Sequence, residues 1–180
     1  QPIQSAIRGA LPAYWTAFFT RVTVLMITPV VVSWVGVIVL FFDWKKWYTE
    51  AFLLTGSLVT TGLLVVILKH IYLRPRPALQ HLVQEGGYSF PSGHSLAATL
   101  VFGGLIIIVG QRMTSQVGKV LAQIVLFLCM VTIVVSRVYV GVHYPTDVTG
   151  SMLLGFGLLQ MVFPYYDRLR FEWRFKSKQK

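Results

Sequence analysis

Residues 22–42 read VTVLMITPVVVSWVGVIVLFF, and none of these 21 residues is charged. About 20 apolar residues in a helix cross the hydrocarbon core of a bilayer. Lipid offers the backbone no hydrogen-bond partner, so a segment of this kind forms a helix, which satisfies its own backbone. The run therefore predicts a transmembrane helix with a kink at Pro29, which removes one backbone donor from the helix interior.

Four further apolar runs follow along the chain. None of them has the alternating pattern of a barrel strand. The middle two are only 16 residues long, so we expect their polar outer ends to be buried in protein rather than in lipid. The five runs together predict one domain over residues 1–180, an all-α, polytopic transmembrane helical bundle with five spans. The four further runs are Ala51–Leu68, Ser95–Gly110, Val120–Val135 and Val148–Tyr166.

The two ends of the chain differ in composition from the spans. Residues 1–21 contain four aromatic side chains between positions 14 and 19 and few charges, which is typical of a helix that lies in the membrane interface. Six of the 16 Lys and Arg residues fall within the last thirteen positions. A basic segment directly after an apolar span favours the cytoplasmic side, near anionic lipid. Residues 167–180 are therefore predicted to be a basic cytoplasmic tail.

The overall composition excludes several other classes of protein. The chain is 55% hydrophobic and 12% charged, whereas a soluble domain carries about twice that charged fraction. The net charge is +10, but much of it lies in the tail after a span, so we expect no nucleic-acid partner. Cys129 is the single cysteine, which excludes a disulfide within the chain and any metal site built on cysteines.

The distribution of basic residues predicts the orientation in the membrane. If the tail is cytoplasmic, loops 43–50 and 111–119 are cytoplasmic too, and ten cations lie inside against six outside. Four of those six belong to or adjoin the polar clusters described next, and without them the bias is stronger. We expect a multi-pass protein of the plasma membrane with its amino terminus outside. Asp43 and Glu50, at the two ends of loop 43–50, are expected to be solvated.

Three polar clusters lie where apolar runs end. The predicted topology puts all three on the outer side of the membrane, although the assignment of spans did not use them. This coincidence indicates that they form one site. The clusters are Lys69-x6-Arg76-Pro77, Pro91-Ser92-Gly93-His94 and Ser136-Arg137-x5-His143-x3-Asp147.

The residue types in these clusters suit the binding of a phosphate. Lys69, Arg76 and Arg137 offer the charge and the forked donors that a tetrahedral anion attracts. Gly93 allows close approach of the backbone, and Ser92 adds a hydroxyl. A helix that begins near position 95 would direct its free N–H groups and its positive dipole end at the same anion.

The same clusters contain residues suited to catalysis. His143 and Asp147 are four positions apart, about one helical turn, and Pro145 indicates that a helix begins between them. A carboxylate that accepts a proton from one imidazole nitrogen leaves the other nitrogen free to attack. His94 is then available as the general acid that protonates the leaving oxygen.

These residues resemble the signature of the type 2 phosphatidic acid phosphatase superfamily, which reads K-x6-R-P, then P-S-G-H, then S-R-x5-H-x3-D. Every specified position is matched. The resemblance implies a phosphohistidine intermediate at His143, oriented by Asp147, with His94 as the acid and with no metal or other cofactor. Membrane members usually have six spans, so a further span is expected before Gln1. The implied phosphate pocket consists of Lys69, Arg76, Ser92, Gly93 and Arg137.

The resemblance predicts a membrane lipid phosphatase that hydrolyses a lipid diphosphate or phosphomonoester. Undecaprenyl diphosphate is the favoured substrate, since an outward-facing site suits recycling of that carrier. Phosphatidylglycerol phosphate and phosphatidate are the alternatives. A transporter or flippase that binds a lipid phosphate without cleaving it would use the cations but not the pair His143 and Asp147. A purely structural membrane protein would use neither.

Some polar residues near the clusters lie outside the motif positions. Arg74 is expected to have a role in the interface or the loop, with help in binding a second phosphate or a headgroup as the alternative. His70 and His81 are expected to be structural or loop residues. The segment 85–88, Glu-Gly-Gly-Tyr, is interpreted as a surface turn rather than a lid. Ser151 and Gly155 form a small-xxx-small pair, which predicts helix packing within the chain.

Overall fold

A computed structural model describes residues 12–78 and 80–179, which form six α-helices and contain no strand. Four helices, α3 to α6, are each long and apolar enough to cross a membrane, and α1 with α2 passes the same test as one bent pair. The chain is therefore an all-α, multi-span membrane protein, as predicted. The helices are α1 (Ala13–Val24), α2 (Thr28–Trp44), α3 (Tyr48–Tyr72), α4 (Gly93–Arg112), α5 (Gln116–Tyr139) and α6 (Pro145–Phe175).

The first predicted span is not one helix kinked at Pro29, so that prediction is wrong in detail. Helix α1 ends at Val24, α2 begins at Thr28, and the two helices are bent by 62°. Pro29 lies in the first turn of α2. Its missing N–H is harmless there, because the first N–H groups of a helix have no intrahelical acceptor. The chain therefore breaks before the proline.

Helix α4 is the centre of the bundle and packs against α3, α5 and α6. More than half of its apolar window is buried inside the protein, against less than a third for the other three long spans. A Cβ atom on Gly155 of α6 would come within 2.7 Å of Thr99 on α4. The missing side chain lets the two helices approach closely, so the predicted packing role of Gly155 is confirmed.

Glu50 is fully buried, so the expectation that it is solvated is wrong. It lies in the first turn of α3, and its Oε1 atom accepts hydrogen bonds from Arg112 Nε at 2.8 Å and from the Tyr166 hydroxyl at 3.2 Å. Nε of Arg170 is 3.5 Å from the same oxygen. These contacts join α3, α4 and α6 through one buried carboxylate. Asp43, at the other end of the same loop, is exposed.

Helical structure extends into both of the segments that flank the predicted spans, the interfacial segment 1–21 and the tail 167–180. Residues 1–11 of the predicted interfacial segment lie outside the described residues, and from Ala13 onwards the chain forms α1, which packs against α5. Helix α6 continues to Phe175, well into the predicted tail. The location of both segments relative to the membrane stays a prediction.

The direction of the helices determines where the polar clusters lie. Hydrogen bonds join the first two turns of α6 to the α3–α4 loop and to the start of α4, and the last turn of α5 to the same loop, so these helix ends lie together. The α3–α4 loop, residues 73–92, and the short α5–α6 connection, residues 140–144, lie at this end as well. All three clusters therefore come to one end of the bundle.

Candidate active site

Helix α6 positions Asp147 beside His143. Pro145 begins the helix, as the sequence indicates, so Asp147 lies in the first turn. Its Oδ2 atom accepts a hydrogen bond from the backbone N–H of Tyr144 at 2.9 Å, in the manner of a capping carboxylate. The same oxygen is 3.7 Å from Nδ1 of His143. The start of the helix therefore sets the orientation of the carboxylate relative to the imidazole.

Two further side chains hold Asp147, which is completely buried. Arg74 donates from Nη1 to Oδ1 at 2.5 Å and to the Thr146 hydroxyl at 3.0 Å. The Arg74 guanidinium also lies over the ring of Tyr144. Ser89 donates its hydroxyl to Oδ2. The carboxylate is thus held from the α3–α4 loop as well as from its own helix.

His143 lies in the short connection between α5 and α6 and is only 2% exposed. Burial lowers the pKa of its imidazole, because desolvation disfavours the cation, although the neighbouring Asp147 carboxylate opposes this shift. The positive charges of Arg137 and Arg76 lower the pKa further. A neutral imidazole with Nδ1 towards a carboxylate has its Nε2 lone pair available for attack.

Helix α4 brings a second imidazole to the same end. Ser92 caps the helix, since its Oγ accepts a hydrogen bond from Ser95 N at 3.4 Å, and its own N–H donates to the Ser151 hydroxyl at 2.9 Å. His94 follows in the first turn and interacts electrostatically with His143. Its buried Nε2 atom has no hydrogen-bond partner among the described residues. This nitrogen can therefore exchange a proton with a ligand.

Gly93 is the first residue of α4. A Cβ atom at this position would be 3.5 Å from the side chain of Val65, which is an ordinary van der Waals distance. The surrounding protein atoms therefore do not require a glycine here. The close approach of a phosphate to this backbone stays a prediction.

Arg76 joins the α3–α4 loop to the α5–α6 connection. Its guanidinium donates to the backbone carbonyls of Gly86 at 2.8 Å, Gly87 at 3.1 Å and Val142 at 2.9 Å. Val142 is the residue before His143 in the sequence. The arginine thus ties the loop that precedes α4 to the backbone that holds one of the imidazoles.

Arg137 and Lys69 complete the group of three predicted cations. Arg137 lies in the last turn of α5, is 1% exposed, and donates hydrogen bonds to Thr23 of α1 and to Glu85. Lys69 lies in the last turn of α3 and interacts electrostatically with Arg76 and Arg137. A cluster of three cations, from the last turns of α3 and α5 and from the α3–α4 loop, is a strong electrostatic site for an anion.

Glu85 occupies this cationic cluster, so the interpretation of segment 85–88 as a plain surface turn is wrong. Its Oε1 atom accepts from Arg137 Nη2 at 2.5 Å, and its Oε2 atom is 3.5 Å from Arg76 Nη2. Burial would raise the pKa of the carboxyl, but the charge and hydrogen bond of Arg137 outweigh it and the pKa is lowered. Glu85 is therefore ionised at neutral pH.

The interpretation of the sequence missed three residues at this end: Arg74, Ser89 and Glu85. One signal for Arg74 was available. Pro75 follows it and Pro77 follows Arg76, and a residue before proline is held extended. In an extended segment, side chains two positions apart point to the same side, so Arg74 belongs on the side of Arg76. In the structure, Arg74 does not only support the loop but also contacts Asp147 directly.

The eight predicted site residues all lie at this end of the bundle. The arrangement can bind an anion, attack it with a neutral imidazole and exchange protons with it through a second imidazole. Within residues 12–78 and 80–179, no three His, Cys, Asp or Glu side chains are grouped to hold a metal ion, and the expectation of a metal-independent reaction stays a prediction. The eight are Lys69, Arg76, Ser92, Gly93, His94, Arg137, His143 and Asp147.

Two curated relatives are similar to this chain. Phosphatidylglycerophosphatase B of Bacillus subtilis (strain 168) is 33% identical over 140 residues, which are 77% of this chain and 66% of that protein. Undecaprenyl-diphosphatase BcrC of the same organism is 30% identical over 105 residues, which are 56% of this chain and 49% of that protein. The chain thus spans less than two thirds of the length of these relatives.

Two solved structures and one family model also match. The crystal structure of a transmembrane PAP2 type phosphatidylglycerolphosphate phosphatase from Bacillus subtilis superimposes with a TM-score of 0.85 at 27% identity, covering 93% of this chain and 84% of that one. The crystal structure of Aquifex aeolicus LpxE superimposes with a TM-score of 0.64 at 25% identity, covering 86% of this chain and 88% of that one. The model of the PAP2 superfamily matches residues 50–171, more than half of the chain. On the evidence of this match and of the shared helical fold, the chain belongs to the PAP2 superfamily.

Proposed function

We propose that this chain is a membrane lipid phosphatase that transfers a phosphoryl group first to His143 and then to water. The observation that carries the proposal is the buried Asp147 carboxylate at 3.7 Å from a buried imidazole, next to a cluster of three cations. A protein that only binds lipid phosphate would need the cations but not a carboxylate directed at an imidazole. The names of the relatives support the same reaction class.

In the first step, Nε2 of His143 attacks the phosphorus atom. The N–P bond forms as the bond from phosphorus to the leaving oxygen breaks. Asp147 accepts the Nδ1 proton of His143 in a hydrogen bond and so stabilises the positive charge that develops on the ring. Their distance of 3.7 Å shortens when substrate binds, as is common for catalytic hydrogen bonds in empty sites. His94 gives its proton to the leaving oxygen.

In the second step, a water molecule attacks the phosphohistidine. His94, which is now neutral, accepts a proton from that water, the N–P bond breaks and inorganic phosphate leaves. Lys69, Arg76 and Arg137 stabilise the charge on the equatorial oxygens in both steps. Ser92 and Gly93 place the first turn of α4 against the same oxygens, so that its N–H groups and dipole add to the stabilisation.

The substrate is a lipid phosphomonoester or a lipid diphosphate. We place phosphatidylglycerol phosphate first, because a relative that matches 77% of this chain is named as a phosphatidylglycerophosphatase. Undecaprenyl diphosphate is the second candidate, and it is supported by the shorter match to an undecaprenyl-diphosphatase. Phosphatidate has the same phosphomonoester group as the first candidate and serves as a simpler substrate for assays.

The site lies on the extracytoplasmic face of the plasma membrane and the carboxyl terminus is cytoplasmic. The support is the distribution of cations. The loops at the end of the bundle away from the site and the tail together carry ten of the 16 Lys and Arg residues. Positive charge in short loops favours the cytoplasmic side.

The proposal is tested by phosphate release from a panel of lipid phosphates in detergent, with EDTA present. We expect turnover of at least one of phosphatidylglycerol phosphate, undecaprenyl diphosphate and phosphatidate, and inhibition by vanadate. The relative kcat/KM values across the panel identify the substrate. Absence of turnover on every lipid, or turnover that requires an added divalent ion, would contradict the proposal.

A further inference from the structure

The cationic cluster that is proposed to bind the substrate phosphate already contains a carboxylate. Glu85 lies 2.5 Å from Arg137, 3.5 Å from Arg76 and 4.0 Å from Nε2 of His94. These are three of the groups that the proposed reaction assigns to the phosphate and to its leaving oxygen. Substrate phosphate and the Glu85 carboxylate therefore need the same donors.

Glu85 lies on a loop segment that can move away from the cationic cluster. It is partly exposed, and it is followed by Gly86 and Gly87, of which the second has a positive φ of 69°. A Cβ atom on either glycine would meet no other atom within 4 Å. The surroundings are therefore open, and the segment is attached to Arg76 by hydrogen bonds to the carbonyls of the two glycines. Moving the carboxylate outwards requires no change in the packing of the helices.

We propose that Glu85 is an internal competitor of the substrate phosphate and sets the minimum charge that an anion needs to enter the pocket. This inference rests on the proposed function, because it assumes that phosphate binds to Arg76 and Arg137. It concerns a residue outside the three motifs and makes Glu85 a determinant of substrate specificity.

The physical reason is that an incoming phosphate must replace the Glu85 carboxylate at the same cations. A carboxylate attached to the same chain has a high effective concentration at the cluster, in the millimolar range or above for short flexible connections. The phosphodiester group of a bulk membrane lipid carries one negative charge, so replacing Glu85 with it gains little electrostatic energy. A phosphomonoester dianion or a diphosphate carries more charge and gains more from the same cations. Glu85 would thus keep bulk lipids from filling the pocket.

The alternative role for Glu85 is structural, and it predicts the opposite sign. If the carboxylate mainly holds Arg137 and Arg76 in position, its removal disorders the donors and weakens the binding of every anion. If the carboxylate competes with phosphate, its removal strengthens the binding of every anion. The direction of the change in affinity therefore separates the two roles.

The test compares the wild type with Glu85→Gln in detergent micelles. Dioleoyl phosphatidate is the substrate, and dioleoyl phosphatidylmethanol, a phosphodiester with the same chains, is the inhibitor. We expect the inhibition constant of the phosphodiester to fall by about tenfold in Glu85→Gln, the size of one charge-assisted hydrogen bond. The KM for phosphatidate should fall as well. An unchanged or higher inhibition constant would overturn the inference.

Two further variants control the result. Glu85→Asp keeps the charge but shortens its reach, so its inhibition constant should lie between those of the wild type and Glu85→Gln. If the inhibition constant of Glu85→Asp equals that of the wild type, the carboxylate acts only through its charge at a distance, and the inference is overturned. Gln84→Ala alters the exposed neighbour in the same loop and should leave the constant unchanged; a shift as large as that of Glu85→Gln would also count against the inference.

A binding measurement separates failure of this inference from failure of the proposed function. Calorimetric titration with inorganic phosphate needs no turnover, and Glu85→Gln should bind phosphate about tenfold more tightly than the wild type. If the wild type hydrolyses no lipid phosphate, the proposed function fails while this titration still tests the competition. If Glu85→Gln does not fold, the same titration of Glu85→Asp decides, because equal affinity in this variant and the wild type would overturn the inference.

Discussion

Arg74 gives Asp147 a positive partner that the motif positions do not include. The ion pair, at 2.5 Å, withdraws part of the negative charge that would otherwise act on His143. The nucleophile must be neutral, so kcat/KM falls as the pH drops through the pKa of His143. Because burial lowers that pKa, the acid limb of the wild type should lie below pH 6.5, the ordinary histidine value.

Arg74→Ala should move this acid limb to higher pH. Without the guanidinium, Asp147 acts on the imidazole with its full charge, which favours the cation and raises the pKa of His143. The measurement is the pH dependence of kcat/KM for phosphatidate. The other groups that act on the imidazole, Arg76 and Arg137, are unchanged in this variant.

Arg74→Lys is the matched control, because it keeps a positive charge near the carboxylate. Its acid limb should stay closer to that of the wild type than the limb of Arg74→Ala does. If kcat/KM of Arg74→Ala decreases equally at all pH values, the arginine only supports the structure of the loop, and the electrostatic role is wrong.

The motif residues were predictable from the sequence because their spacing along the chain is fixed. Arg74 also left a signal, in the prolines that follow it and Arg76, but Ser89 and Glu85 left none. Ser89 and Glu85 belong to a loop whose path depends on hydrogen bonds to distant backbone groups, such as Arg76 to Val142. A sequence pattern does not encode that path, so the position of a loop carboxylate between two arginines became visible only in three dimensions.

At the scale of helices, the contact between α4 and α6 depends on a missing side chain. Gly155→Ala would place a Cβ atom 2.7 Å from Thr99, closer than such atoms normally approach, so the helices must separate. Overpacking of this kind costs about 1–3 kcal/mol. We expect a lower melting temperature in detergent.

Gly157, two residues further along α6, is the control for this substitution. A Cβ atom there would meet nothing within 4 Å, so Gly157→Ala should melt at the wild-type temperature or slightly above it. Equal melting temperatures for Gly155→Ala and Gly157→Ala would mean that α4 and α6 are not in close contact at this point.

The buried carboxylate at the other end of the bundle gives a second prediction for the helices. Glu50→Gln leaves Arg112 and Arg170 without their shared counter-charge in a buried site, and breaking such a group costs about 3–5 kcal/mol. We expect a clear loss of thermal stability. Asp43→Asn changes an exposed acid in the last turn of α2 and should have no effect. A Glu50→Gln variant as stable as Asp43→Asn would show that the charge group does not stabilise the bundle.

The apolar runs predicted which segments form membrane-spanning helices, but they did not predict the residues at which the helices begin and end. Each run stops before the next charged residue, whereas α4 continues to Arg112 and α6 to Phe175, because polar residues at helix ends are accommodated by protein contacts. The break between Val24 and Thr28 falls inside an uncharged run. The run carries no charge on either side of it, so the search for uncharged runs could not reveal it.

For the whole molecule, the alternation of helix directions is what brings three distant clusters together. The sequence predicted this result because the number of spans between clusters determines the side on which each one lies. The lipid part of the proposed substrate was not predictable in this way, since the motif residues are suited to phosphate and carry no information about the hydrocarbon.

The orientation of the molecule can be tested with single cysteines in a Cys129→Ala background. Gln84 lies in the loop at the site, and Thr114 lies between α4 and α5 at the opposite end, and both are exposed. In intact cells, a membrane-impermeant maleimide should label the Gln84→Cys variant. It should label the Thr114→Cys variant only after the cells are opened. The reverse pattern would place the site on the cytoplasmic face.

The most direct test of the proposed reaction is to trap the intermediate. Phosphatidate with a radiolabelled phosphate is mixed with the enzyme and quenched in alkali within the first turnover. We expect an alkali-stable, acid-labile label on the peptide that contains His143, and neither label nor turnover in His143→Asn. Label on another residue, or wild-type turnover in His143→Asn, would contradict the proposed reaction.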